Sequence, residues 1–215
     1  MKALLDNDFL WKVCAAGAFD HVLATLKLTR SDCYVLASLK AQLKRGNGKL
    51  CKKIGPAGVA SLTSIVEGLA TIPDDSASPW LDKLAQVDGI DAGEAILFSY
   101  AAANDAVVLA TGDKRAVRAI ESVADLAGAL ERKVLLLDHL LAHCCDKEGK
   151  QAAKARFGGL LPEDMASSVA FASNDPAGTF RGGCAGLAPE SVYFVFVEGG
   201  SGPGPHEEVS RDDPG

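Results

Sequence analysis

The feature that most constrains this chain is the repeated alternation of short apolar runs with segments of helical period. The clearest run is VVLAT at residues 107 to 111, which is bounded by turn residues. Such a run is typical of a parallel strand that is buried on both faces. Because parallel strands must be joined by crossovers, the alternation predicts a mostly parallel central sheet with helices on both faces, a three-layer α/β/α sandwich.

The remaining elements follow the same alternation. We predict a strand over residues 2 to 5 and a helix over 9 to 16, then a second strand over 21 to 28 and a helix from Ser31 to about residue 44. Gly46 and Gly48 are expected to end that helix. The later predictions are helices over 56 to 69, 80 to 87, 92 to 103 and 113 to 130, a short edge strand over 70 to 72, and a last core strand over 134 to 137.

The length of 215 residues favours one domain with additions over two full domains. We predict an α/β domain over residues 1 to 149 and an extension over 150 to 198 that packs on or beside it. Within the extension, residues 151 to 157 fit a helix and 191 to 197 fit a strand. Residues 199 to 215 are rich in glycine, proline and acids, and they are predicted to form a disordered tail.

The net charge of -6 argues against a protein that coats nucleic acid through its whole surface. A local basic stretch is nevertheless present, because residues 33 to 66 contain no acid. Its cations are Lys40, Lys44, Arg45, Lys49, Lys52 and Lys53. This stretch fits either a solvated helix end with its loop or a surface that contacts phosphates.

No apolar run reaches the roughly 20 residues that cross a bilayer, and the first residues, MKALLDNDFLW, lack the apolar centre of a signal peptide. We therefore expect a cytoplasmic protein with no membrane partner. The six cysteines form no CxxC pair, which favours reduced thiols. His139 and His143 have a spacing known from metal sites, but no second ligand pair follows at a suitable distance, so we predict no zinc site there.

Two acids follow predicted strands directly. Asp6 ends the first strand in LLDND, and Asp113 follows VVLAT in the segment ATGDKRA. Ligands of open α/β sheets gather outside the carboxyl ends of the strands, so both carboxylates are expected at one edge of the sheet. Several carboxylates forced together repel one another unless a hard cation neutralises them, and Mg²⁺ prefers such oxygen ligands.

Three pieces of the sequence, LLDND, DAGEAI at residues 91 to 96 and VLATGDKRA at residues 108 to 116, resemble the PIN-domain family in order and rough spacing. The resemblance spans residues 2 to 145. It implies a nuclease fold that depends on Mg²⁺ or Mn²⁺ and commonly cuts RNA. It also implies that Asp6, Glu94 and Asp113 hold the metal and form the catalytic site. An N-cap role is the alternative for Asp6 and Asp113, and a surface position is the alternative for Glu94.

Many members of that family carry a fourth acid, for which Asp138 and Asp8 are the candidates here. Lys114 and Arg115 beside Asp113, together with Lys49 and Lys52 of the basic stretch, are candidates for RNA contacts. The resemblance implies RNA as the partner and makes a homodimer plausible. Two alternatives stay open: a catalytically weak PIN-fold module that binds or regulates, and a toxin whose groove is blocked by an antitoxin-like protein.

Overall fold

The computed structural model of the chain describes residues 1–46, 48–73, 78–120, 123–160 and 164–184, without the side chains of residues 49, 124 and 165. These residues form a central sheet of parallel strands in the order β3-β2-β1-β4-β5. The strands are β1 Lys2–Leu5, β2 Cys33–Val35, β3 Ala70–Thr71, β4 Val107–Thr111 and β5 Val134–Leu136. The predicted three-layer α/β/α sandwich is confirmed.

The helices within the described residues connect the strands and cover the sheet. They are α1 Asn7–Ala15, α2 Phe19–Leu26, α3 Ala37–Arg45, α4 Gly48–Glu67, α5 Pro79–Leu84, α6 Ala92–Ala103, α7 Lys114–Ile120, α8 Ala124–Ala129, α9 Leu137–Glu148, α10 Lys150–Phe157, α11 Met165–Ala172 and α12 Pro176–Gly183. α4 contains a kink at Gly55, where φ is 70°. Pro56 follows the kink at the start of the second half, as predicted for a first helical position.

The predicted second strand at residues 21 to 28 is wrong. The segment lies in α2, and its buried residues Phe19, Val22, Leu23 and Leu26 follow helical spacing. Strand β2 instead lies at Cys33–Val35, inside the segment that was predicted to be helical from Ser31 onward. A short apolar run does not by itself separate a buried helix from a strand, and this ambiguity caused the error.

The pleat of the strands divides the apolar residues between two core clusters, one on each face of the sheet. In β1, Ala3 and Leu5 belong to one cluster and Leu4 belongs to the other. In β4, Val108 likewise belongs to the first cluster and Leu109 belongs to the second. This alternation follows from the two-residue period of a strand, and both faces are apolar because helices cover both.

Residues 150–160 and 164–184 add helices to one of these clusters. Phe157, Phe171 and Phe180 are each at most 1% exposed, and all three belong to the cluster that contains Phe9. Helix α12 packs against α9, and α10 packs against α9 as well. The predicted strand at 191 to 197 and the predicted tail at 199 to 215 lie outside the described residues.

No single helix among the described residues is long and apolar enough to cross a membrane. α1 and α2 reach that length and composition only when taken together, across a bend of 116°. The six cysteines are free thiols; Cys51 is half-buried, and the other five are buried.

Candidate metal centre

The acids that follow β1 and β4 meet at the carboxyl edge of the sheet. The two strands are direct neighbours, and Leu5 lies opposite Ala110. The backbone N–H of Asp6 donates a hydrogen bond to the Ala110 carbonyl, so Asp6 continues the ladder by one residue. The parallel register therefore carries Asp6 to the level of Thr111, close to the turn that holds Asp113.

Thr111 joins the two acids. Its buried hydroxyl donates a 2.9 Å hydrogen bond to Oδ2 of Asp6 and accepts a 3.1 Å bond from the backbone N–H of Asp113. Sequence analysis did not identify this residue, although a polar side chain at the end of an apolar strand was the available signal. One hydroxyl thus fixes both the orientation of the Asp6 carboxylate and the turn after β4.

Asp6 is a buried acid whose side chain makes no capping bond to α1, even though it occupies the N-cap position. Its exposure is only 8%. Burial, followed by the charges of Asp8 and Asp113, raises the pKa of Asp6 to about 6, against the lowering effect of the Thr111 hydroxyl and the Asn7 backbone. The folded chain therefore holds the Asp6 proton more tightly than a free aspartic acid does.

Asp113 has two roles at once. Its Oδ1 accepts hydrogen bonds from the backbone N–H groups of Arg115 at 2.8 Å and Ala116 at 3.1 Å, which caps α7. Its Oδ2 lies 3.2 Å from the Arg115 guanidinium. Burial would raise the pKa of Asp113, but the two backbone donors and the Arg115 charge outweigh burial and lower it.

Glu94 is also buried, so the surface alternative for this residue is wrong. Its Oε2 accepts a 2.7 Å bond from the backbone N–H of Asp91, and the Asp91 side chain accepts a 2.8 Å bond from the backbone N–H of Glu94. This reciprocal capping box makes Asp91 the cap of α6 and fixes the Glu94 side chain at the start of the helix.

The carboxyl groups of Glu94 and Asp113 lie on either side of the same Arg115 guanidinium. Burial raises the pKa of Glu94, and Asp91 and Asp113 raise it further. The Arg115 guanidinium lies 3.7 Å from Oε1 of Glu94 and provides a partial counter-charge from a largely exposed position. Like charges held near one another raise the pKa of the more buried group, and here that group is Glu94.

Beside Asp113 lies a cleft of about 310 Å³, whose lining includes neither Asp6 nor Glu94. It is lined by the carboxylates of Asp8, Asp113, Asp138 and Asp164 and by the amines of Lys12 and Lys114. Both candidates for a fourth acid therefore face the same space. Lys12 lies 2.8 Å from Asp8, and Lys114 lies 2.6 Å from Asp138, so each candidate already has a cationic partner.

Lys12 and Asp164 are further residues that sequence analysis missed. Burial alone would lower the pKa of Lys12. The charge and hydrogen bond of Asp8 raise it, with smaller contributions from Asp164 and Asp138, and together they outweigh burial, so the pKa is raised. Lys12 stands four residues after Asp8, a spacing that could have revealed the pair. Asp164 follows residues 161 to 163, which lie outside the described part of the chain, and its segment carried no recognisable pattern.

Gly112 allows the close approach of Asp8 to the turn. A Cβ atom at this position would lie 2.3 Å from Oδ2 of Asp8. The other oxygen of Asp8 accepts a 3.1 Å hydrogen bond from the Trp11 indole, and the amine of Lys53 lies 4.9 Å from the centre of the Trp11 ring. The basic stretch therefore reaches the rim of the acidic cleft through Trp11.

The candidate RNA contacts lie in two different places in the structure. Lys114 and Arg115 lie at the acidic site, as their places beside Asp113 predicted. Lys52 is exposed on the first half of α4. The side chain of Lys49 lies outside the described residues.

The donor set fits a hard divalent cation. Asp6, Glu94 and Asp113 offer carboxylate oxygens from three different elements. Asp113 lies between the other two, because Thr111 links it to Asp6 and the Arg115 guanidinium contacts both it and Glu94. The ligand atoms of the three acids do not all lie within 4.8 Å of one another. Oxygen ligands in this number suit Mg²⁺ or Mn²⁺. Comparison of the chain with protein-family models, with curated proteins and with solved structures found no match.

Proposed function

We propose that the protein is an endoribonuclease that depends on Mg²⁺ or Mn²⁺, with Asp6, Glu94 and Asp113 as the metal ligands. The observation that carries this proposal is the position of Asp113, which Thr111 links to Asp6 and which shares the Arg115 guanidinium with Glu94, at the carboxyl edge of a parallel sheet. The order of the three motifs, which resembles that of PIN-domain nucleases, supports the same assignment. A cytoplasmic location is part of the proposal.

A divalent cation held by these carboxylates would activate water for attack on a phosphodiester and stabilise the charge of the transition state. The residues of the chain have separate tasks. Thr111 orients Asp6, the Asp91 backbone orients Glu94, and the backbone of α7 orients Asp113. A site held on rigid elements in this way keeps its donor oxygens preorganised.

Basic residues around the cleft support a nucleic-acid substrate. Lys12, Lys114 and Arg115 lie among the acids, and Lys53 lies at the rim above Trp11. Phosphate groups bind to clustered cations of this kind, and the bound strand would run from the basic half of α4 towards the acids. Because the net charge of the chain is -6, we expect phosphate binding only at this local basic surface.

The test is cleavage of a mixed RNA pool by purified protein in the presence of Mg²⁺ or Mn²⁺, with a chelator as the negative condition. We expect cleavage to depend on the metal and to be lost in Asp6→Asn. The matched control is Asp88→Asn, which makes the same chemical change at an exposed acid away from the cleft and should cleave like the wild type. A DNA pool of equal length shows whether the activity requires RNA. Absence of cleavage from folded wild-type protein with either metal contradicts the proposal.

One observation favours a second candidate, a PIN-fold module that binds RNA or a regulatory partner with weak catalysis. The ion pairs Lys12–Asp8 and Lys114–Asp138 place two amines in the cleft, where they compete with a cation for the fourth acid. Under this alternative, RNA is bound but not cut, and binding persists in chelator. Filter binding of labelled RNA, with and without chelator, separates it from the nuclease.

A further inference from the structure

A second cluster of side chains that could bind a metal lies between α2 and α9, apart from the acidic cleft. It consists of His21, Cys144 and Glu148, whose Nε2, Sγ and carboxylate atoms all lie within 4.8 Å of one another. Oε1 of Glu148 is 2.7 Å from Nε2 of His21, and Sγ of Cys144 is 4.0 Å from the same nitrogen. None of these residues belongs to the acidic cleft.

We propose that His21, Cys144 and Glu148 form a Zn²⁺ site that ties α2 to α9. Nitrogen, thiolate and carboxylate donors together are the ligand types that zinc accepts, whereas Mg²⁺ and Ca²⁺ prefer oxygen alone. Cys144 and Glu148 stand four residues apart on one face of α9, and His21 faces them from α2. Zinc sites with three protein ligands complete their tetrahedron with water or another external ligand.

The geometry needs only small side-chain movements. With zinc at ordinary bond lengths and tetrahedral angles, nitrogen and oxygen lie roughly 3.4 Å apart and nitrogen and sulfur roughly 3.6 Å apart. The His21–Glu148 distance must therefore open from 2.7 Å, and the His21–Cys144 distance must close from 4.0 Å. The side chains of His21 and Glu148 are 20% and 25% exposed, which leaves them room to move and gives solvent access to the fourth position.

Neighbouring groups hold His21 and Glu148 in place. The Phe157 ring packs edge-on against His21 with 6.0 Å between ring centres. Nε of Arg156 lies 3.4 Å from Oε2 of Glu148, which leaves Oε1 directed at His21. Such partners outside the ligand shell fix ligand orientation at metal sites.

Thiolate formation is the chemical step that metal binding requires. Burial raises the pKa of the Cys144 thiol to about 12, while the Arg156 charge and the Thr25 hydroxyl act in the opposite direction. Zinc would displace this proton to solvent, and the thiolate and carboxylate would neutralise its two charges.

The test uses Co²⁺ as a spectroscopic probe on the full chain, because thiolate ligation gives an intense charge-transfer absorption that oxygen ligands do not give. We expect this absorption in the wild type, its loss in Cys144→Ser, and its removal by one equivalent of Zn²⁺. Cys145→Ser changes the adjacent thiol, and Cys184→Ser changes the thiol near Asp138; both should keep the absorption. Circular dichroism establishes that each variant is folded.

Two further arms distinguish this site from the acidic one. Asp6→Asn should leave the Co²⁺ absorption unchanged, whatever its effect on RNA cleavage. Zn²⁺ should raise the unfolding temperature of the wild type, and it should do so much less for His21→Gln. No thiolate absorption from folded wild-type protein, or an absorption that survives in Cys144→Ser, overturns the proposal.

Discussion

The hydroxyl of Thr111 donates a 2.9 Å hydrogen bond to Oδ2 of Asp6, which connects the ends of two neighbouring parallel strands at the acidic site. The two residues are 105 positions apart in the chain. The bond satisfies one oxygen of a buried carboxylate. The bond therefore both holds the ends of β1 and β4 together and lowers the pKa of Asp6.

Replacing Thr111 by valine should raise the pKa of Asp6 above about 6, because the hydroxyl is one of the groups that lower it. The free energy of unfolding should fall by about 1 kcal/mol, the usual contribution of one hydrogen bond. Carbon-detected NMR titration of the Asp6 carboxyl measures the pKa, and urea unfolding measures the stability. Thr111→Ser keeps the hydroxyl and serves as the control; equal pKa values in all three proteins would show that the bond has no role.

Asp6→Asn should stabilise the folded chain at a pH well above 6. An acid whose pKa is higher in the folded chain than its ordinary 3.8 holds its proton more tightly when folded. The contribution of Asp6 to stability is therefore most favourable below pH 3.8, and it declines as the pH rises through about 6. The asparagine variant avoids this decline, which amounts to about 3 kcal/mol at most.

The measurement for Asp6→Asn is urea unfolding in chelator at several pH values, with Asp88→Asn as the control. The difference from the wild type should be present above pH 6 and should vanish below pH 3.8. Mg²⁺ or Mn²⁺ should stabilise the wild type above pH 6 and should have little effect on the variant. A difference that does not depend on pH would rule out the charge of Asp6 as its cause.

Lys114→Met should destabilise the chain in chelator, because the buried Asp138 carboxylate loses an amine partner at 2.6 Å. A carboxylate left without its partner in such a place lowers stability by about 1 to 3 kcal/mol. Mn²⁺ should restore much of this loss, since the cation replaces the missing charge in the same cleft. Thermal unfolding with and without Mn²⁺ measures both effects.

The matched control is Lys83→Met, which removes the amine of a Lys–Asp pair at 3.3 Å on the exposed surface. Such a surface pair contributes little, so its loss should change stability by less than about 1 kcal/mol, with no dependence on Mn²⁺. If Mn²⁺ restores neither variant or both equally, Asp138 does not contribute to a cation site.

Phe180→Ala should show that residues beyond 149 stabilise the α/β core. Phe180 is 1% exposed and packs edge-on against Phe171 with 5.2 Å between ring centres. Removing such a ring from a core lowers the free energy of unfolding by about 3 to 5 kcal/mol. Val169→Ala, at a position that is 57% exposed, should change it by less than about 0.5 kcal/mol. A single cooperative transition that is unaffected by Phe180→Ala would place α12 outside the folding unit.

Local chemistry in the sequence determined much of the fold. The apolar run of β4 gave its bounds because a strand buried on both faces is continuously apolar. Asp91 and Glu94 stand at the capping-box spacing, so the start of α6 followed from a contact between near neighbours. Asp6 and Asp113 were placed at one edge because parallel strands share the direction of their carboxyl ends.

Contacts between residues distant in the chain were decided only by the tertiary structure. α2 was mistaken for a strand because a short apolar run has no period that separates the two, and its burial against the core resolves the choice. The Thr111–Asp6 bond, the pairing of Lys114 with Asp138 and the approach of His21 to Cys144 all depend on packing between separate elements. Sequence spacing carries information about neighbours on one helix or strand, whereas the energies of burial and charge that define a site arise only where the elements meet.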